Sequence, residues 1–189
     1  KNFKRPFDDV LIKTMQETAK FLCENIMGAT IAYTESDEIT VLLVDYKKIT
    51  SQAWFDNRQN KIESIAASMC TMAFNKFFAK NVKEFIYNNG ENYEVNSEEY
   101  KLCETYKKAV KRGAYFDCRA FNIPKEEVTN NFYWRQLDAS RNSIQMVGQA
   151  NFSHKELQNK SCNDIQDMLM TQKGINWNDL PTYQKRGSC

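Results

Sequence analysis

Ala29-Thr30-Ile31-Ala32-Tyr33 and Ile39-Thr40-Val41-Leu42-Leu43-Val44 enclose the polar segment Thr34-Glu35-Ser36-Asp37-Glu38. Both flanks are rich in Ile, Val, Thr and Tyr, which suit a pleated, half-buried surface, so the stretch reads as a β-hairpin with acidic residues at its turn. Upstream, Leu11, Met15, Leu22 and Ile26 recur at helical intervals between Phe7 and Met27. Asp8 and Asp9 lie near the start of this helix, at the positive end of its macrodipole, and Gly28 ends it. Downstream, Trp54 and Phe55 lead into a second helix from about Asn60 to Lys80, where Ile62, Ala66, Met69, Ala73 and Phe77 step by three and four along one face. Residues 81–112 turn rich in Asn, Glu, Lys and Tyr, with little apolar periodicity, and read as an insertion or arm. Tyr115 to Ile123 alternates as a strand stopped by Pro124, and Pro124-Lys125-Glu126-Glu127 opens a helix with proline in its first turn.

The order helix, hairpin, helix, strand needs one strand before Phe7 to become β-α-β-β-α-β, the ferredoxin-like arrangement. The chain is therefore expected to be α+β, with residues 1–123 as the main domain and 124–189 as a mainly helical extension of it. Its opening on Lys1 without an initiator methionine reads as a trimmed start that leaves room for that strand.

Hydrophobic residues make up 42% of the 189 and aromatics 13%, enough apolar surface for a core and too much for a chain disordered throughout. The longest aliphatic run, Val41 to Val44, is far short of the roughly 20 residues that cross a bilayer, and no apolar stretch follows the basic start, so neither a membrane span nor a signal peptide is expected. The net charge of +2 excludes nucleic-acid binding by bulk charge alone and leaves it to local patches. Six widely spaced cysteines without a CxxC pair read as buried thiols of a reduced compartment, which places the protein in the cytoplasm or mitochondria and not outside the cell. With His154 as the only histidine, a zinc site or a Ser-His-Asp triad is improbable, and His154 itself reads as a surface helix residue.

The chemistry concentrates in the hairpin. Mg²⁺ is held by one or two carboxylates and leaves its other positions to waters and phosphates. Asp37 on a rigid turn, beside Glu38 and facing a carboxylate from a first strand, suits a two-metal platform for nucleotidyl transfer. The same residues also suit a merely solvated turn. Arg58 and Lys61, three apart at the start of the second helix, share a face that suits a triphosphate, or solvent. Lys101, Lys107, Lys108, Lys111 and Arg112 against Glu104 suit an RNA backbone, or solvent. Trp134 and Phe132 read as core residues rather than base-stacking platforms.

Taken in order, Lys4-Arg5-Pro6-Phe7-Asp8, Ala32-Tyr33, Ser36-Asp37-Glu38, Arg58 and Lys61, Phe116-Asp117-Cys118-Arg119, Trp134-Arg135-Gln136-Leu137-Asp138, and Asn176 to Pro181 with Lys185-Arg186-Gly187 resemble the tRNA-histidine guanylyltransferase family over nearly the whole chain. The resemblance implies a fold like the palm of conventional polymerases and addition of nucleotides to the 5′ end of tRNA in the 3′-to-5′ direction. It implies that Asp37 binds two Mg²⁺ ions with Glu38 in support, and that Ser36, Arg58 and Lys61 contact the nucleoside triphosphate. Arg5 stands where the family commonly has a phosphate-binding lysine. Arg135, Asn142, Lys185 and Arg186 would meet the tRNA, ATP or GTP would activate its 5′ end, and the protein would assemble as a homotetramer.

The sequence departs from the family pattern twice. The other metal-binding aspartate lies in an Asp-Gly motif on a first strand that this sequence does not contain. Where the eukaryotic enzymes carry a His- and Asn-rich motif, the chain reads Asp138-Ala139-Ser140-Arg141-Asn142-Ser143, which resembles the tRNA-repair branch of the family. The competing reading is a catalytically inactive palm-fold module that binds RNA.

Overall fold

A computed structural model describes residues 3–89 and 97–189. The chain divides into two compact units, one of residues 9–122 with Phe3 and Cys189, the other of residues 4–8 and 123–188.

In the first unit α1 (Asp9–Asn25) precedes an antiparallel hairpin of β1 (Ala29–Glu35) and β2 (Glu38–Leu43), and α2 (Gln59–Asn89) and α3 (Glu98–Arg112) follow. Val10, Thr14, Met15, Thr18, Ala19 and Leu22 form the buried stripe of α1. Thr14 and Thr18 tolerate full burial because their hydroxyls donate to Val10 O at 2.7 Å and Thr14 O at 2.8 Å, one turn back. Against this stripe α2 brings Phe74, Phe78 and Val82, and α3 brings Tyr106. The rings of Phe74 and Phe78 stack at 5.7 Å, and Tyr106 meets Phe78 edge-on at 6.2 Å. A second cluster joins Leu22, Ile26 and Cys70 to Ile39, Val41 and Leu43, which seats the hairpin on the helices. Burial drives the Cys70 thiol up to about 12, as expected of a thiol used for packing.

The hairpin ladder is longer than its apolar flanks. Thr34 pairs with Ile39 and Glu35 with Glu38, so the turn is reduced to Ser36 and Asp37. Thr34 Oγ1 donates to Glu38 O at 3.0 Å and draws the two strands together at this end.

Three expectations need correction. Residues 115–123 form no ladder strand. They run extended, with 114, 116, 118 and 120 half-buried and 115, 117, 119 and 121 exposed, so the alternation is real while β2 pairs with β1 alone among the described residues. Residues 81–112 do carry apolar periodicity. Val82, Phe85, Ile86, Leu102, Tyr106, Ala109 and Val110 pack in the main core, although Lys, Glu and Asn dominate the composition around them. Part of this segment, 90–96, lies outside the described residues. Trp134 is not a core residue: burial on its helix begins at Ala139, and Tyr133, Trp134 and Leu137 are 58%, 70% and 46% exposed.

The second unit is helical: α4 (Val128–Asn151), α5 (His154–Leu157), α6 (Cys162–Lys173) and α7 (Thr182–Arg186). Ile144, Val147, Ile165, Leu169 and Trp177 form its core. Trp177 buries its polar edge by donating Nε1–H to Ser143 Oγ at 2.9 Å. Gly148 allows α6 to approach α4, since a Cβ there would lie 2.8 Å from Ile165 Cγ2. Ser153 and Ser161 start α5 and α6 with reciprocal capping boxes to Glu156 and Asp164. His154 is exposed on α5.

Candidate functional site

Two loops of the first unit carry the candidate chemistry. The hairpin turn presents Ser36 and Asp37, and β2 opens on Glu38; all three are exposed, with Ser36 at φ 49°. A serine in the left-handed region is strained, and backbone strain of this kind gathers at functional sites. Asp37 makes no hydrogen bond or ion pair among the described residues. Its carboxylate is the kind of oxygen donor of which Mg²⁺ takes one or two from a protein when phosphates and waters supply the rest, and Glu38 beside it offers another. No group of three His, Cys, Asp or Glu side chains gathers to hold a metal among the described residues. Among the described residues the donor set thus offers no all-protein cage.

The second loop joins β2 to α2. Phe55, Asp56 and Asn57 follow one another at φ 53°, 55° and 56°, three non-glycine residues in the left-handed region. Each costs on the order of 1–2 kcal/mol relative to a right-handed turn. The loop is held from several sides. Asn57 Nδ2 donates to Asp45 Oδ2 at 3.0 Å, Arg58 Nε donates to Phe55 O at 3.3 Å, and the Phe55 ring packs tilted against Trp54, centroids 4.7 Å apart. Lys61 Nζ lies 4.6 Å from the Phe55 ring centroid, so one residue of the left-handed turn positions both cations. The pairing of Arg58 with Asp56 at 3.6 Å is between exposed side chains and too weak to withhold the guanidinium from an anion. No hydrogen bond or ion pair joins Asp37 to Arg58 or Lys61.

The sequence reading missed a third feature. Along α2, Gln59, Glu63, Thr71 and Asn75 follow the four-residue ridge of the helix and grip the extended segment. Asn75 Oδ1 accepts from Ala114 N at 2.8 Å and its Nδ2 donates to Ala114 O at 2.9 Å. Thr71 Oγ1 accepts from Phe116 N at 3.1 Å, Glu63 Oε1 accepts from Ala120 N at 2.9 Å, and Gln59 Nε2 donates to Ala120 O at 2.9 Å. The backbone amide of Ala120, followed by the Gln59 amide, holds the Glu63 carboxyl below its usual range. Polar residues at four-residue spacing on a core helix were the signal available in the sequence.

The remaining candidates belong to the second unit. Arg5 and Arg186 are exposed. Arg135 lies 3.8 Å from Asp138, to which Asn142 Nδ2 also donates at 3.2 Å. Lys185 Nζ donates to Asn178 O at 2.5 Å and sits 5.7 Å from the Trp177 ring centroid, so its ammonium is engaged within its own unit.

A hairpin with a free carboxylate at its turn, followed by cations at a helix start, has the residue types that suit the nucleotide-handling class of proteins. Within that class, residues 1–124 match the family model for tRNAHis guanylyltransferase (Thg1), and the chain belongs to this family of nucleotidyltransferases. A bacterial tRNA(His) guanylyltransferase (Thg1)-like protein solved in complex with ATP superposes at a TM-score of 0.80 and 45% identity, over 98% of this chain and 70% of that one. A bacterial Thg1-like protein in complex with GTP gives 0.73 and 40%, over 99% and 66%. The tRNA(His) guanylyltransferase of Saccharomyces cerevisiae is 25% identical across 98% of this chain and 73% of its own. The chain spans 63% to 73% of the length of its first two curated relatives. No helix among the described residues is long and apolar enough to cross a membrane.

Proposed function

We propose that the protein is a Mg²⁺-dependent nucleotidyltransferase that adds nucleotides to the 5′ end of tRNA in the 3′-to-5′ direction, after the 5′ end is activated with ATP or GTP. The observation that carries this reading is that one unit holds both the exposed carboxylates Asp37 and Glu38 and the Phe55-ordered cations Arg58 and Lys61, in a family whose bacterial Thg1-like members have been solved with ATP and with GTP. In this reading Asp37, supported by Glu38, holds Mg²⁺, which neutralises charge on the phosphate oxygens. Ser36, Arg58 and Lys61 bind the triphosphate, and Arg135, Asn142, Lys185 and Arg186 meet the tRNA. Both displacements at phosphorus depend on positioning and charge stabilisation, which fixed cations supply without reorganising. The working protein in this reading is a homotetramer of the cytoplasm or mitochondria.

The Ser140, Arg141 and Ser143 pattern favours the repair branch, in which pairing with the opposite strand selects the nucleotide. The test offers intact protein, including its first strand, a panel of tRNAs each lacking the 5′ nucleotide, with ATP, Mg²⁺ and one labelled nucleotide at a time. The expected result is addition of whichever nucleotide pairs with the opposing base, on tRNAs of several identities, and its loss in Asp37→Asn with the fold intact. Guanosine added only to histidine tRNA, whatever the opposing base, overturns the repair assignment. Binding of tRNA without any addition favours the inactive RNA-binding module.

A further inference from the structure

On α3 the apolar and cationic residues lie on opposite sides. Leu102, Tyr106, Ala109 and Val110 pack into the core of the first unit, and Cys103 and Tyr106 are buried. Lys101, Lys108 and Arg112, at i, i+7 and i+11, fall within about 40° of one another around the helix on its exposed side, with Lys111 next to them. The row runs about 16 Å along the axis. Glu104, the acidic residue between Lys101 and Arg112, is engaged by Lys107 at 2.9 Å. Lys101, Lys108, Lys111 and Arg112 form no ion pair among the described residues. Glu104 also feels the charges of Lys108 and Lys111, so one carboxylate is shared by three cations; Lys108, Lys111 and Arg112, one turn apart, repel one another, and a polyanion removes that opposition.

Gly113 ends the helix at φ 70°, ψ 171°, a conformation available essentially to glycine alone. The chain then passes into the extended segment gripped by α2, whose outward residues are Tyr115 (89% exposed), Asp117, Arg119 and Phe121 (68% exposed). A single file of cations thus leads to exposed aromatic rings on a backbone fixed by Asn75, Thr71 and Glu63. Cations that follow a backbone, with rings on which bases stack, are the components of a single-strand nucleic-acid track. A membrane-surface helix would need its apolar face outward, and the core occupies that face here.

We propose that Lys101, Lys108, Lys111 and Arg112 track the sugar-phosphate backbone of the RNA substrate and that Tyr115 offers its ring to an unpaired base at the end of that track. The proposal rests on the tRNA reading above and assigns it a surface in the first unit, apart from Arg135, Asn142, Lys185 and Arg186.

The test measures anisotropy of labelled tRNA with intact protein between about 50 and 300 mM KCl, with ATP binding as a control for the fold. The triple variant Lys101→Gln, Lys108→Gln, Arg112→Gln should bind tRNA at least tenfold more weakly at about 100 mM salt, with the log–log salt slope shallower by roughly 2 to 3 and ATP binding unchanged. Tyr115→Ala should weaken binding with the slope unchanged. Wild-type protein that binds tRNA, with a triple variant of equal affinity and slope, overturns the ridge and leaves the tRNA reading standing. Wild-type protein that binds no tRNA overturns both. Anionic vesicles bound by wild type and lost by the triple variant, with tRNA binding unaltered, assign the ridge to lipid and overturn the proposal.

Discussion

Asn75 on α2 pairs with Ala114 as a neighbouring strand would: its side-chain amide accepts from the Ala114 N–H at 2.8 Å and donates to the Ala114 carbonyl at 2.9 Å. The second amide hydrogen goes to Thr71 O at 2.8 Å, so every donor of the side chain is used. A helix side chain here takes the place of the ladder partner that the extended segment lacks among the described residues. Each part-buried bond of this kind contributes about 1 kcal/mol. Asn75→Ala should therefore lower unfolding free energy by about 2 kcal/mol in urea melts. Asn75→Asp should cost at least as much, because a carboxylate oxygen would face two carbonyls.

Glu63 makes the far end of the same grip depend on pH. Its folded-state pKa is lowered, first by the Ala120 amide and then by Gln59, so its contribution is present above the unfolded carboxyl value and lost as pH falls through the folded one. The Ala120 amide should exchange faster with solvent as pH falls below about 4.5, beyond the intrinsic rate change. Glu63→Gln keeps an uncharged acceptor and should flatten this dependence, whereas Glu63→Ala should raise exchange at every pH. A profile unchanged by Glu63→Gln would show that the carboxylate does not govern this contact.

Arg58 and Lys61 should act on the triphosphate through separate contacts. Replacing either by Ala removes a charge-assisted hydrogen bond worth about 1.5–3 kcal/mol, so kcat/KM for the nucleotide should fall roughly tenfold or more in each variant. Phe55→Leu should lower it less, because it leaves both charges in place while removing the ring beneath Lys61. Lys125→Ala in the second unit serves as the comparison. Equal effects at Lys125 and at the two candidates would move the triphosphate site elsewhere.

The left-handed turn at Phe55-Asp56-Asn57 makes a prediction about stability alone. A β-branched side chain at φ 55° meets its own backbone, so Asp56→Val should lower unfolding free energy by about 1–2 kcal/mol. Asp56→Gly should cost less, since glycine adopts this region freely. The pair of melts separates backbone strain from loss of the exposed Arg58–Asp56 contact, which both variants remove.

The sequence alone determined the hairpin from Ala29 to Leu43, the helix ahead of it and the exposed acidic turn, because strand alternation, helical periodicity and turn composition act between residues a few positions apart. It also expected Arg58 and Lys61 to share a helix face, but Arg58 lies in extended backbone just before α2, where its carbonyl accepts from Lys61 N at 3.0 Å. Tertiary structure decided the rest. Residues 114–120 have the alternation of a strand, yet whether an alternating segment enters a ladder depends on a partner distant in sequence, and Asn75, Thr71 and Glu63 bind its backbone instead. Trp134 has the character of a core residue but lies on the half of α4 that the second unit leaves exposed. The left-handed run at Phe55 carries no glycine to announce it and is held by ring contact with Trp54 and by Asp45, ten residues before Phe55 in the chain. The cations of α3 read as a charge run in sequence. Burial of Tyr106 on the opposite side fixed their direction, because a helix turns all its side chains together once one face is committed to the core.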